Sequence, residues 1–168
     1  MLHSERPDLR VEPIRGNVDT RLRRVAEGDL DGAIVAAAGL ARLEKLSEAS
    51  ELLDPGVFVP AVGQGILAVQ VRREENSIAA LIRALDDEVT RACAAAERAV
   101  ATTLGAGCQT PLGAYARVED GRLVVDAFFL HGPGREPVRA RAEGDLSDAV
   151  EIGANAARTL QRQTSTWA

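Results

Sequence analysis

The chain has 168 residues, of which 46% are hydrophobic and 27% are charged, and its formal net charge is −5. This composition is typical of a packed fold with an ordinary water-exposed surface, and no apolar run approaches the ~20 residues that a membrane span needs. The negative charge argues against a nucleic-acid-binding surface. The first residues lack the apolar stretch of a secretory signal and only two cysteines are present, so we expect a cytoplasmic protein without a disulfide framework.

The first half of the chain alternates predicted strands with predicted helices. Four short segments are predicted strands because each is apolar throughout or alternates apolar with polar residues. They are residues 9–14, 32–38, 57–60 and 66–71. Between the first two, a helix capped by Asn17 or Asp19 should run to about Glu27 and end at Gly28. This order predicts a partial βαβ unit of α/β class.

The second half predicts an α+β domain. Acidic residues at 86–88 favour the start of a long helix that ends near Leu104. An Asp-Gly pair at 120–121 separates two alternating runs, which is a strong signal for a β-hairpin. A third strand over 137–142 and a closing helix over 145–163 complete a three-stranded antiparallel sheet with helices.

A glycine-rich loop between the long helix and the hairpin holds Cys108. This cysteine could be buried, unreactive or nucleophilic. The preceding helix offers the negative end of its dipole, and His3 and His131 have no triad-like context. The two cysteines and two distant histidines also form no metal-ligand spacing, so we expect no metal site. A covalent anchor is therefore a more plausible role for Cys108 than a base-activated nucleophile, whereas Cys93 fits simple helix packing.

Arginines near predicted helix ends are candidate anion ligands. Arg15 and Arg21 bracket a glycine-containing helix start, which would suit a carboxylate or phosphate. From sequence alone, the favoured alternative is that both are solvated surface residues, which is the commoner case for arginine. Arg42 follows a predicted buried strand, where open α/β sheets bind ligands. The turn around Gln64 could bring backbone amides to a ligand or be no more than a turn.

Three stretches together resemble the porphobilinogen deaminase (hydroxymethylbilane synthase) family. They are the Arg-Gly-Asn-Val-Asp-Thr-Arg-Leu run at 15–22, the Val-Pro-Ala-Val-Gly-Gln-Gly run at 59–65 and the Gly-Cys-Gln-Thr-Pro-Leu-Gly run at 107–113. The helix at 94–99 before the cysteine also resembles the family. The motifs occur in the family's order and span nearly the whole chain.

The resemblance implies a function in tetrapyrrole biosynthesis. Members are transferases that join four porphobilinogen units into hydroxymethylbilane, with release of ammonia, on a dipyrromethane cofactor. The resemblance implies that Cys108 holds this cofactor by a thioether. It implies that Arg15, Arg21 and Arg42 bind the pyrrole carboxylates, with Gly16 and Gln64 nearby. The expected partners are porphobilinogen and polypyrrole carboxylates.

The resemblance also implies that much of a member is missing here. Members have three domains and act as monomers, and their catalytic aspartate has no counterpart in this chain. Residues 1–65 would be the C-terminal half of a periplasmic-binding-protein-like second domain, 66–85 a crossover into the absent first domain, and 86–168 the C-terminal domain. We expect no substantial turnover of porphobilinogen by this chain. Exposed strand edges should favour self-association. Whether the cofactor is loaded is left open by the sequence. The alternative is a non-catalytic anion-binding or assembly module completed by a partner chain.

Overall fold

The computed structural model describes residues 1–72, 76–107, 110–130, 132 and 136–165. The chain forms two compact units, Met1–Leu53 and Asp54–Ala168. The first unit is helical. Its elements are α1 (Leu2–Glu5), α2 (Val18–Ala26), α3 (Ala37–Arg42) and a 3₁₀ turn at Leu46–Glu48.

Helix α2 begins and ends where the sequence predicts. The Asn17 side chain accepts a hydrogen bond from the backbone N–H of Thr20 at 2.9 Å, which satisfies one of the free donors of the first turn. Glu27 is the C-cap residue, and Gly28 follows it with a φ of 80°. Local sequence is therefore sufficient to predict this capped helix, and the prediction is confirmed.

The four strands predicted before the cysteine loop do not form. Among the described residues, none before Leu112 lies in a strand, and residues 37–38 belong to α3 instead. A strand exists only through hydrogen bonds to a neighbouring strand, and alternation of apolar residues does not supply that neighbour. Apolar side chains of these segments are consequently exposed, with Ile34 at 58%, Leu67 at 77% and Val69 at 58%.

The second unit contains the sheet and the two long helices. Its helices are α4 (Asn76–Ile82), continued by a 3₁₀ turn at Arg83–Leu85, α5 (Glu88–Leu104), and α6 (Ala149–Ser165), preceded by a 3₁₀ turn at Leu146–Asp148. Its strands are β1 (Leu112–Glu119), β2 (Arg122–Phe129) and β3 (Val138–Gly144). They pair antiparallel in the order β1-β2-β3, which confirms the predicted three-stranded sheet.

A two-residue turn joins β1 to β2. Asp120 and Gly121 both have positive φ, at 50° and 79°, and Glu119 pairs with Arg122 across the turn. These angles belong to the hairpin turn that matches the twist of paired strands. The turn therefore sets the register of the whole hairpin.

Helices α5 and α6 pack against one face of the sheet. The largest fully buried side chains include Val100 of α5, Leu123 and Val125 of β2, and Leu160 of α6. A Cβ placed on Gly153 would lie 2.1 Å from the carbonyl oxygen of Ala96, so the two helix backbones approach closely there. This core holds the helix that precedes the cysteine loop.

Candidate functional site

The helix start that carries Arg15 and Arg21 has a fixed backbone. Gly16 has a φ of 112°, and a Cβ there would lie 2.9 Å from Cγ2 of Thr20, so the position requires glycine. The Thr20 hydroxyl also donates to Asn17 Oδ1 at 2.8 Å. These contacts hold the glycine turn that separates the two arginines.

Arg21 has a buried donor without an acceptor. Its Nε is buried, and no described atom accepts a hydrogen bond from it. Leaving a buried donor of a charged group unpaired is costly, and an anionic acceptor would remove that cost. In the described part of the chain, the Nε of Arg21 is therefore a buried guanidinium donor without an acceptor.

Other arginines of the first unit pair with neighbouring acids. Arg6, Arg10 and Arg24 contact Asp8, Glu12 and Asp29, at 2.6, 2.6 and 3.4 Å respectively. In the described part of the chain, Arg15, Arg23 and Arg42 have no such partner, and all three are exposed. Arg15 and Arg42 are thus available to an anion, as their predicted role requires.

Arg42 lies in the last turn of α3. The apolar run before it does not form the strand that the sequence predicts, because it has no strand partner. An ion pair between Lys45 and Asp19, 2.8 Å long, connects the chain after α3 to the start of α2. The hydrogen bond that Lys45 Nζ donates to Asp19 Oδ1 raises the pKa of Lys45. The first unit therefore links the helices that carry Arg21 and Arg42.

Gln64 lies in a glycine turn of the second unit. Gly63 and Gly65 have φ values of 75° and 86°, which favour glycine at both positions. The N–H of Gln64 donates to the carbonyl of Ala61 at 2.9 Å, and the N–H of Ile66 donates to that of Gly63 at 3.2 Å. The Gln64 side chain is exposed at the tip.

A buried carboxylate holds this turn. Glu97 of α5 is 3% exposed, and its Oε2 accepts from the N–H of Gly63 at 2.7 Å. Its Oε1 accepts from the N–H of Ala116 in β1 at 2.9 Å. Burial raises the pKa of Glu97, and the two backbone hydrogen bonds oppose that rise.

Sequence reasoning missed Glu97, although a signal was present. Cys93, Ala96 and Val100 are buried at helical spacing on α5, and Glu97 falls on the same stripe. A lone acid on the apolar side of a helix indicates a buried carboxylate that needs hydrogen-bond donors. The pattern does not say which donors those are.

Cys108 and Gln109 lie outside the described residues, so the predicted anchor is not tested directly. The residues on either side of them are held together. The N–H of Gly107 donates to Oγ1 of Thr110 at 2.9 Å, and the N–H of Thr110 donates to the carbonyl of Gly107 at 2.9 Å. Gly105 ends α5 in the left-handed conformation, with a φ of 62°.

The described residues contain neither a cluster of metal ligands nor a membrane-spanning helix. Across the ranges given above, histidine, cysteine and carboxylate side chains nowhere gather in a group of three that could hold a metal ion. Helices in that part of the chain are too short or too polar to cross a membrane.

Comparison with known proteins defines the class. Residues 1–80 match the family model described as porphobilinogen deaminase, dipyromethane cofactor binding domain, and residues 91–162 match the model of the porphobilinogen deaminase C-terminal domain. The first match contains the unpaired arginines and the Gln64 turn, and the second contains the cysteine loop. The chain therefore belongs to the porphobilinogen deaminase family.

Individual relatives agree with the family models. The porphobilinogen deaminase of Thiobacillus denitrificans is 43% identical over 162 residues, which are 96% of this chain and 53% of that protein. The porphobilinogen deaminase of Thermus thermophilus is 45% identical over 159 residues, 94% of this chain and 53% of that protein. The one from Acidothermus cellulolyticus is 44% identical over 161 residues, 94% of this chain and 49% of that protein. The chain spans about half the length of these relatives.

Proposed function

We propose that this chain carries the cofactor-holding part of a hydroxymethylbilane synthase, a transferase that builds hydroxymethylbilane from porphobilinogen with release of ammonia. The unpaired Nε of Arg21 is the observation that supports this best, because a guanidinium donor without an acceptor favours an anion such as a pyrrole carboxylate. The match of the same residues to a cofactor-binding family model gives that anion a chemical class.

The residues present fit a dipyrromethane. Cys108 would hold it through a thioether, and Arg15, Arg21 and Arg42 would bind its carboxylates by charge-assisted hydrogen bonds. Gly16 and Gln64 would contribute nearby. When bound, the dipyrromethane supplies the end onto which further pyrroles are added.

The remaining expectations about the whole protein are part of this proposal. They are a periplasmic-binding-protein-like second domain that includes residues 1–65, a crossover at 66–85, a C-terminal domain at 86–168 and a cytoplasmic location. The family's catalytic aspartate has no counterpart among these residues. We therefore expect the 168-residue chain to have no substantial turnover of porphobilinogen.

Intact mass tests the tether. The chain, expressed in cells that make porphobilinogen, should carry the added mass of a dipyrromethane on the peptide that contains Cys108. The adduct should be absent from Cys108→Ser and unchanged in Cys93→Ser. An unmodified wild-type thiol, or an adduct on Cys93, would rule out the tether in this chain.

Matched arginine variants test the carboxylate site. Arg21→Gln should reduce the fraction of chain that carries the adduct, because the buried donor is lost. Arg23→Gln changes an exposed arginine of the same helix and should leave that fraction unchanged. Equal losses in both variants would indicate a general charge effect and would contradict the assignment of Arg21.

The second candidate is a non-catalytic anion-binding module. Arg15, Arg21 and Arg42 lie in Met1–Leu53, apart from the cysteine loop in sequence, so anion binding does not require the tether. Calorimetric titration with citrate, using wild type and Arg21→Gln, distinguishes the two. Citrate binding that depends on Arg21, in a chain without an adduct on Cys108, would favour the module.

A further inference from the structure

Glu97 joins three segments that are far apart in sequence. Its carboxylate belongs to α5, and its oxygens accept from the N–H of Gly63 at 2.7 Å and of Ala116 in β1 at 2.9 Å. The side chain is 3% exposed, so both hydrogen bonds are shielded from water. Such charge-assisted bonds are about twice as strong as neutral ones.

The contacts lie along the free edge of β1. In the order β1-β2-β3, β1 has β2 on one side only, so N–H groups on its other side need different acceptors. The N–H of Ala114 donates to the carbonyl of Pro60 at 3.0 Å. Two residues on, the N–H of Ala116 donates to Glu97. The Glu97 carboxylate thus gives the N–H of Ala116 the acceptor that the Pro60 carbonyl gives the N–H of Ala114.

The approach of this segment to β1 is close. A Cβ on Gly113 would lie 2.7 Å from the carbonyl oxygen of Val59 and 2.9 Å from that of Pro60. Arg139 of β3 donates to the carbonyl of Val57 at 2.9 Å. The chain from Val57 to Gly63 is therefore anchored at several points, and Glu97 holds the last one before Gln64.

Only a carboxylate meets both donors. It offers two oxygen acceptors and no donor, whereas an amide would turn an NH₂ group toward one of the N–H groups. An apolar side chain would leave both N–H groups without an acceptor. Burying the charge is costly, and the two hydrogen bonds to fixed backbone groups offset that cost.

We propose that Glu97 is a positioning residue that acts through the glycine turn to place Gln64 for the cofactor. Its carboxylate fixes Gly63 to β1, the strand that follows the cysteine loop, and so sets Gln64 relative to that strand. The role of Gln64 rests on the proposed function. The holding of the turn by Glu97 does not.

Amide hydrogen exchange tests the holding of the turn. In the 168-residue chain, Glu97→Gln should make the amide of Gly63 or of Ala116, whichever faces the new NH₂ group, exchange at least about tenfold faster, the change expected when a hydrogen bond to a charged group is lost. Glu97→Ala should show a larger effect. Glu88→Gln removes an exposed carboxylate of the same helix and should change neither amide.

The amides of α6 show whether the effect is local. They should keep their wild-type protection in Glu97→Gln. The proposal would be overturned if the amides of Gly63 and Ala116 both kept their wild-type protection in Glu97→Gln. It would also be overturned if the amides of α6 lost protection to the same degree, because Glu97 would then stabilise the fold in general.

A double-mutant cycle with Gln64→Ala tests the link to the cofactor. Glu97→Gln should lower the yield of the Cys108 adduct when Gln64 is present and have no further effect in Gln64→Ala, because one residue acts through the other. Additive losses would overturn the link. Wild type without an adduct would overturn the proposed function instead, and the exchange data would still decide whether Glu97 holds the turn.

Discussion

The Glu97 carboxylate makes the stability of the second unit depend on pH. Burial raises the pKa of Glu97 in the folded chain above the ordinary value of 4.5. The folded state therefore binds the proton more tightly than the unfolded state does. The resulting stabilisation is fully present below pH ~4.5 and is lost as pH rises through the raised pKa.

Glu97→Gln removes this titration. The free energy of unfolding of wild type minus that of the variant should fall as pH rises from about 4.5 and become constant above the folded pKa of Glu97. Urea unfolding at several pH values measures the difference, in which contributions from the other carboxylates cancel. A difference that is constant, or that rises with pH, would show that the pKa of Glu97 is not raised.

Cys93 is a second residue whose chemistry is set by burial. It is 7% exposed, and burial, together with the nearby charge of Glu97, raises the pKa of its thiol. The thiolate is the reactive form, so the folded chain should protect Cys93 from iodoacetamide. In Cys108→Ser, labelling should be at least about tenfold slower without urea than in urea. Equal rates would contradict burial of this thiol.

Among the elements, the contact between α5 and α6 depends on Gly153. A methyl group there would meet the carbonyl of Ala96 at 2.1 Å, so Gly153→Ala must separate the helices despite the better helix propensity of alanine. We expect a loss of about 1–3 kcal/mol in unfolding free energy, the usual cost of overpacking a core. Gly107→Ala is the matched control, because its added methyl group meets open space. A neutral Gly153→Ala would show that the helices are farther apart.

At the scale of the whole molecule, the two units differ in how much they bury. Among the described residues of Met1–Leu53, a single hydrophobic residue, Leu40, is buried, whereas the second unit has a continuous hydrophobic core. Limited trypsin digestion should therefore cut within the first unit and leave a fragment containing α5, the sheet and α6. Mass spectrometry identifies the fragment. Cleavage within α5 at the same rate as within the first unit would contradict this difference in burial.

Exposed apolar residues at 66–71 should also make the chain self-associate. Val69→Lys should lower the association constant in sedimentation experiments, because a charge interrupts an unpaired apolar segment. Gln70→Lys adds the same charge at an adjacent exposed polar position and should have a smaller effect. If both variants behave alike, net charge and not this segment controls association.

Local sequence was sufficient for the elements whose hydrogen bonds are local. The Asn17 cap predicted α2, the acidic start predicted α5, and the Asp-Gly pair at 120–121 predicted the hairpin. In each case the residues that supply the signal also make the bonds. The arginine candidates were likewise visible as residue types near helix ends.

Only the tertiary structure decided which distant groups meet. The segments at 32–38 and 66–71 have the composition of strands but no partner strand, so the predicted βαβ pairing is absent. The two hydrogen bonds that Glu97 accepts likewise depend on contacts between residues far apart in sequence. A side chain's type states what partner it needs, and only the folded chain determines whether that partner is there.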